Sequence, residues 1–399
     1  MIFTRLKLIN LCSFADAELD LSFPRKLVNS ALDGECLYNR PKFYYKKVCI
    51  VTGANASGKT SLGRILLGIQ LFLRRKVLHT PAFPAGNKKH DSSFEVDFAT
   101  EDFYHHRIYV RLGTDSTDLR VVKEIKYEKV FIRNDDSCIK TTKALDNIFC
   151  ADLFTGYTYL TEDEETGSIP ESFNKFQFHG GWYYLLSEIK ESTATISRID
   201  KKIFELLIKV FDSSIESVSE LKMVNEKEND ADSKESNSNP GFYIQFKNSD
   251  GVIVTKSGDV TNPTRLSRGT YDAVILSQFI SSVNEDFRKQ TIADSYVSMT
   301  YFLDERMAFV HSELERTIIT LIISRLKSNS QFFYTTHNTD VFKLDLPVHS
   351  YFFIKKHEDE SVFIDASSYL KKNDRNLYKY VENDVFGVLP DLSSIEGLI

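Results

Sequence analysis

The stretch GANASGKT, residues 53–60, constrains this chain more than any other. It satisfies the pattern G-x-x-x-x-G-K-[ST] at every fixed position, between the apolar run KVCIV and the segment SLGRILLGIQLFL. A strand that ends in such a loop and is followed by a helix N-terminus makes a phosphate site, because the loop amides and the helix dipole both favour an anion. Leu62, Ile65, Leu66, Ile69 and Leu73 recur at three- and four-residue steps, so the segment after the loop predicts a helix with one buried face. Gly53, Asn55, Ala56, Ser57, Gly58, Lys59, Thr60 and Ser61 are thereby candidates for holding a nucleotide. The loop alone does not choose among the many activities built on it.

With 399 residues, 42% of them hydrophobic and 13% aromatic, the chain can bury a large core, and its length suggests about two domains or one elaborated one. A net charge of -6 gives no global attraction to nucleic acid. The densest basic stretches, LRRK at 73–76 and NKK at 87–89, are short and read as solvated helix ends. Five cysteines without a C-x-x-C pair argue against a disulfide framework or a zinc site and fit a reducing cytosol. No uncharged apolar stretch approaches the ~20 residues of a membrane span, and the start MIFTRLKLINL alternates like a strand, unlike a signal peptide. The expectation is a cytoplasmic protein with no membrane partner.

The pattern over residues 3–23 predicts two strands around a turn at 10–14, and FYYKKVCIVTG predicts one strand ending at the loop glycine. Alternating segments between 94 and 134 predict an antiparallel sheet. Residues 140–222 read as mostly helical, most clearly at 185–211, where isoleucines and leucines are spaced for one face. NEKENDADSKESNSNPG, 225–241, reads as a flexible linker. GFYIQFKNSDGVIVTKSG reads as a hairpin turning at 248–251. The expected division is residues 1–139 with the phosphate loop and the antiparallel sheet, 140–240 as a mainly helical insertion and acidic linker, and 241–399 as the second half of the nucleotide head.

Three later segments fall in an order that a generic phosphate-loop enzyme does not need. In LSRGTYDAVILSQFI, Ser267 and Gly269 precede a helix; VSMTYFLDE is a buried strand ending in Asp304 and Glu305; QFFYTTHNTDV is another ending in Thr336 and His337. Together they make a nucleotide-hydrolysis set. Lys59 is placed to neutralise the β and γ oxygens and the Thr60 hydroxyl to bind magnesium. Asp304 is placed to hold that magnesium through water, Glu305 to orient or deprotonate the attacking water, and His337 to sense the γ-phosphate. Ser267 also suits a helix N-cap, and both uses are compatible. Phe14, beside the turn at 10–13, is a candidate adenine contact, although an aromatic next to a strand is more often core. No glutamine loop can be assigned, and Gln70 lies on the first helix.

At these residues the chain resembles the ABC-type ATPases, with LSRGT standing where their usual pattern is L-S-G-G-Q. Arg268 and Thr270 depart from it. Those departures, together with LDERMAFVHSELE and TTHNTDVF, resemble the non-transporter members, and among them the AAA-like ATPases related to the OLD family, many of which act in anti-phage defence. The opening LKLINLCSFADAELDL and the tail DRNLYKYVENDVFGVLPDLSS are similar to the two ends of that group, with Glu382 to Asp384 in place of an expected glycine. The resemblance does not extend over about 140–240. It implies an α/β fold, an ABC-type head with a mixed sheet, flanking helices and an antiparallel β subdomain. It also implies ATP and magnesium as cofactors, a homo-oligomer whose ATP sites are shared between subunits, and Ser267 and Gly269 closing over ATP held by another copy.

Three functions compete on this reading. The first is an ATPase that oligomerises around ATP and controls a separate effector, a nuclease or toxin, as the AriA-type subunits of PARIS and the PtuA-type subunits of Septu and related retrons do. The second is a chromosome-maintenance or repair ATPase that binds DNA directly. No heptads are sustained between the loop and LSRGT, and the stretch after His337 is too short for an added nuclease domain of ~50 to 100 residues. The third, a transporter subunit, is disfavoured by the antiparallel sheet and the poor match to L-S-G-G-Q. The aromatic segment FNKFQFHGGWYYLL, 173–186, is a candidate surface for holding an effector or completing an oligomer, against a simpler reading as a loop entering a buried helix.

Overall fold

The computed structural model describes residues 1–24, 30, 32–114, 119–161, 169–187, 199–221, 241–255, 259–293, 297–308, 310–370 and 377–388. In chain order, β1 (Ile2–Leu11) and β2 (Phe14–Asp20) form a hairpin, β3 (Cys36–Leu37) and β4 (Arg40–Tyr44) a small ribbon, and β5 (Val48–Thr52) leads into the glycine loop. Helix α1 (Lys59–Arg75) leaves that loop, and β6 (Ser92–Ala99), β7 (Tyr104–Thr114) and β8 (Arg120–Phe131) follow as a meander. Next come α2 (Cys138–Ala151), β9 (Tyr157–Leu160), β10 (Gly181–Leu185), α3 (Lys201–Phe211) and β11 (Ile215–Leu221). The hairpin β12 (Gly241–Phe246) and β13 (Gly251–Thr255) precedes α4 (Arg268–Ala293), β14 (Met299–Asp304), α5 (Ser312–Ser324) and β15 (Ser330–Thr336). The last elements are β16 (Tyr351–His357), β17 (Glu360–Asp365), α6 (Ala366–Tyr369) and α7 (Leu377–Glu382).

Two six-stranded sheets organise these elements. One has the order β2-β1-β6-β7-β8-β9 and is antiparallel throughout. The other has the order β10-β14-β15-β5-β16-β17 and is parallel except for β17. Every residue of β5 and β15 is buried. That is why their sequences are continuous apolar runs with no alternation: a parallel strand covered on both faces has no solvent side. The fold class is the expected one, α/β with mixed sheets.

Helix α1 lies between the two sheets. Leu66, Phe72 and Leu73 share one core with Leu8, Phe94 and Ile108 of the antiparallel sheet and with Phe302 and Phe333 of the parallel one. The expected single buried face is therefore corrected: from Leu62 to Leu73 only Arg64 is not buried, because a second layer covers the side that the periodicity leaves to solvent. Close approach explains Gly63, where a Cβ would come within 2.6 Å of the Phe302 ring. Gln70 takes part in the packing, donating to Thr300 Oγ1 at 3.0 Å.

The joint between the sheets is hydrogen-bonded as well as apolar. Gln331 of β15, fully buried, donates from Nε2 to the carbonyls of Phe3 at 2.9 Å and Lys46 at 3.1 Å, and its Oε1 accepts from the Phe3 amide at 2.9 Å. One side chain thus ties β1 to the segment entering β5.

Four expectations change. The region 140–240 is mixed among the described residues and not mainly helical: β9 extends the antiparallel sheet and β10 is an edge strand of the parallel one. Its isoleucine spacing marks a helix only at Lys201–Phe211; residues 188–198 of the expected helix and residues 225–240 of the expected linker lie outside the described residues. The strand FYYKKVCIVTG is broken between Tyr44 and Val48, since β4 pairs with β3 while β5 enters the parallel sheet. The aromatic segment 173–186 is core: Phe173, Phe178, Tyr183, Tyr184 and Leu186 are buried, and Tyr184 stacks on Phe302 at 5.5 Å.

Replacing Gln331 by Leu leaves the Phe3 amide and two carbonyls without their buried partner. The expected cost is about 2–4 kcal/mol of stability, read from the midpoint of urea unfolding; an unchanged midpoint would show that the joint is held by apolar packing alone.

Candidate nucleotide site

Strand order and register bring the sequence motifs together. Because β5, β15 and β14 are parallel neighbours, their C-terminal ends share one edge of the sheet, with Thr52 opposite Thr336 and Thr335 opposite Asp304. The residues one step beyond these ends, Gly53, His337 and Glu305, therefore meet at the crevice where open α/β sheets bind ligands. A cavity of about 410 Å³ lies there, lined by loop residues 55–61 with Ser13, Arg64, Glu305 and His337. A second cavity of about 580 Å³ opens beside it, reaching from Gly53 and Asn55 past His337 to Phe342 and Val388.

The loop has the conformation its glycines imply. Gly58 caps α1 with φ of 110°, in a region that a side chain rarely adopts, and a Cβ there would also press on the Phe14 ring at 3.0 Å. No acidic residue stands in the first turn of α1 and no side chain caps it, so its amide end is left for a ligand anion. The Ser57 hydroxyl is fully buried and has no hydrogen-bond partner among the described residues. An orphaned donor inside the phosphate loop fits a phosphoryl oxygen. Phe14 itself is fully buried and stacks on Phe363 at 4.9 Å, so it is core and not an adenine contact; Ser13, beside it, is the hairpin residue that reaches the cavity.

Asp304 has no exposed surface and is held by three hydroxyls. Its Oδ2 accepts from Thr60 Oγ1 at 2.9 Å and Ser187 Oγ at 2.6 Å, and its Oδ1 accepts from Thr335 Oγ1 at 2.6 Å. The Ser187 amide also donates to Oδ2, at 3.2 Å. One carboxylate with adjacent hydroxyls is an all-oxygen donor set, which suits magnesium: that ion takes one or two carboxylates and keeps waters and substrate phosphates as its other ligands. Ser187 went unread in the sequence. It lies two residues beyond β10, and only the parallel pairing of β10 with β14, Leu185 opposite Leu303, carries it to Asp304.

Lys59, Glu305 and His337 form the second cluster. Lys59 is 3% exposed and its Nζ donates to the carbonyls of Gly53 at 2.8 Å and Ala54 at 2.9 Å, with Glu305 Oε1 at 3.3 Å. Burial holds its ammonium below the usual range, opposed by the charge of Glu305. Glu305 has φ of 49°, and its amide donates to the carbonyl and the hydroxyl of Thr335, both at 3.1 Å. This bend turns the side chain back to the cavity, where His337 Nε2 lies 2.9 Å from Oε1. The hydrogen bond from His337 is the main reason the Glu305 carboxyl titrates below the usual range; burial opposes it and the Lys59 charge adds to it. The cluster presents a poised carboxylate and a cation beside the phosphate loop.

Ser267 and Gly269 stand apart, lining neither cavity. Ser267 is exposed and caps α4, with Oγ accepting from the Thr270 amide at 3.1 Å, so the N-cap use holds. A Cβ at Gly269 would meet Phe211 and the Ser267 hydroxyl, each at 3.9 Å, and nothing nearer among the described residues.

No protein-family model and no curated protein matches the chain. Among solved structures it is similar to an SMC head bound to the C-terminal winged-helix domain of ScpA, at 13% identity and a TM-score of 0.48 over 93% of this chain and 100% of that one. It is also similar to the SMC head domain from Thermotoga maritima, at 13% identity and 0.38 over 92% and 99%. A third likeness is to the recombination mediator protein RecF of the RecFOR pathway, at 11% identity and 0.42 over 91% and 98%. Among the described residues no helix is long and apolar enough to cross a membrane.

The geometry has a titration signature. A carboxyl depressed in the folded state stabilises it fully above the ordinary value of 4.5, and that contribution is lost as pH falls through the folded value. His337→Ala removes the largest cause, so the Glu305 midpoint rises. Carboxyl ¹³C NMR of the full chain reads it, and a midpoint that stays in place would show that the His337 contact is not made in solution.

Proposed function

We propose that this chain binds magnesium ATP at the loop Gly53 to Thr60 and hydrolyses it, and that each site is completed by Ser267 and Gly269 of a second copy. The observation that carries the reading is the meeting of Lys59, Thr60, Asp304, Glu305 and His337 at one sheet edge, while the exposed Ser267 and the half-buried Gly269 stay outside the cavity. In the reading, the loop amides and Lys59 hold the β and γ phosphates, with Asn55, Ala56, Ser57, Gly58 and Ser61 forming the rest of the cradle. Thr60 and Asp304 hold magnesium, which when bound neutralises phosphate charge. Glu305 accepts a proton from water in line with the γ-phosphate, and His337 keeps that carboxylate ionised and oriented. Ser267 and Gly269, arriving from another subunit, close the γ-phosphate side, so nucleotide state and assembly state are one variable.

A role for that assembly in controlling a separate effector, and a setting in anti-phage defence, are supported by the motif resemblance alone. Direct action on DNA, as in repair and chromosome-maintenance ATPases, uses the same site and differs in what the head contacts. ATP-dependent, salt-sensitive binding of duplex DNA by the purified chain favours the DNA reading; its absence, with co-purification of a neighbouring gene product, favours the effector.

Two measurements test the shared site. Glu305→Gln is expected to lower turnover by about 10²–10⁴-fold and to leave ATP bound in a closed oligomer visible by light scattering. Turnover at the unsubstituted rate removes Glu305 from the role. Lys59→Ala and Gly269→Phe are each expected to be inactive, yet an equal mixture that forms random dimers recovers about a quarter of the original rate, the share of sites left intact. A mixture as inactive as its parts sinks the shared-site mechanism.

A further inference from the structure

Glu315 sits on α5 with 1% of its surface exposed, and its carboxylate faces the end of β15. Its Oε1 accepts from the Tyr334 hydroxyl at 2.5 Å and from Thr336 Oγ1 at 2.9 Å. Its Oε2 accepts from Asn338 Nδ2 at 2.6 Å. Thr336 and Asn338 are the residues on either side of His337. Asn338 closes the turn further, its amide donating to Thr336 Oγ1 at 3.0 Å and its Oδ1 accepting from the Asp340 amide at 2.9 Å. Both neighbours of the histidine that touches Glu305 thus hang on one buried carboxylate, while the His337 ring itself faces the cavity. A buried carboxylate that loses its donors is costly, so α5 and the turn keep one relative position.

We propose that Glu315 is a positioning residue: by clamping Thr336 and Asn338 it holds His337 Nε2 on Glu305. The proposal deepens the ATPase reading and rests on it for its kinetic consequence. Its structural consequence is separate, because every contact of the clamp is made within the chain. Glu315→Gln keeps the shape but presents only one acceptor oxygen, and Glu315→Ala removes both.

The test uses the full chain labelled with ¹³C-histidine, the His337 signal being the one lost in His337→Ala. Without nucleotide, that signal is expected to shift in both Glu315 variants. ATP turnover is expected to fall by about 10-fold in Glu315→Gln and about 100-fold in Glu315→Ala, with KM for ATP changed by less than about threefold. Asn338→Ala is expected to add little to Glu315→Ala, since both break one clamp. If Glu315→Ala does not fold, Glu315→Gln and Asn338→Ala give the same two readouts. An unmoved His337 signal, or a loss confined to KM, overturns the proposal. A shifted signal in a chain that hydrolyses no ATP even unsubstituted overturns the ATPase reading and leaves the clamp standing.

Discussion

Gln331 holds the two sheets in a fixed relation, and the position of α1 follows from it. With β1 bonded through this amide to β15 and to the entry of β5, the space between the layers is set, and α1 must fill it. The helix does so with large apolar residues on most sides and with Gly63 where Phe302 comes too close for a side chain. Since α1 begins at Lys59, the same packing fixes where the phosphate loop ends and where its free amides point. The candidate nucleotide site is in this sense a by-product of how two sheets share one helix.

The two carboxylates of the site are partnered differently. Two carboxylates stand side by side in sequence, yet their surroundings differ. Asp304 is fully buried and surrounded by hydroxyls, which donate to its charged oxygens without cancelling the charge. Glu305 is half-buried and meets the cations of Lys59 and, when protonated, His337. One is suited to hold a metal and the other to handle a proton, and the positive φ of Glu305 separates the two directions.

The loop, the Asp-Glu strand and the Thr-His strand were legible because each combines fixed residue types with an uninterrupted apolar run, and parallel strands buried on both faces have that appearance. The antiparallel meander was legible from its alternation. What escaped was set by pairing between distant segments. The residues GWYYLL read as the approach to a helix, since nothing local says that they lie beside β14. Ser187 carries no motif, and its place depends wholly on that pairing. Glu315 closes the segment LDERMAFVHSELE with no role of its own in the sequence; only the fold shows it reaching the far end of β15. The all-round burial of α1 was hidden for a related reason, because Gly68 and Gln70 look like solvent positions in sequence yet both are covered, Gln70 by its bond to Thr300 of β14 and Gly68 on the opposite side by Ala82 and Phe83.

The chain separations in these contacts bear on how the molecule is made. Phe3 bonds to Gln331, and Ser13 bonds to Ser361 through both backbone and hydroxyl, 328 and 348 residues apart. A nascent chain that has emerged as far as α1 already carries the phosphate loop, yet it lacks every carboxylate and the histidine of the cavity, and the strands that flank β5 have not been synthesised. Closure of such distant pairs is slow and comes last. The loop therefore leaves the ribosome before the segments that complete its cavity and is among the last to acquire its partners, which keeps an incomplete subunit from presenting a finished site.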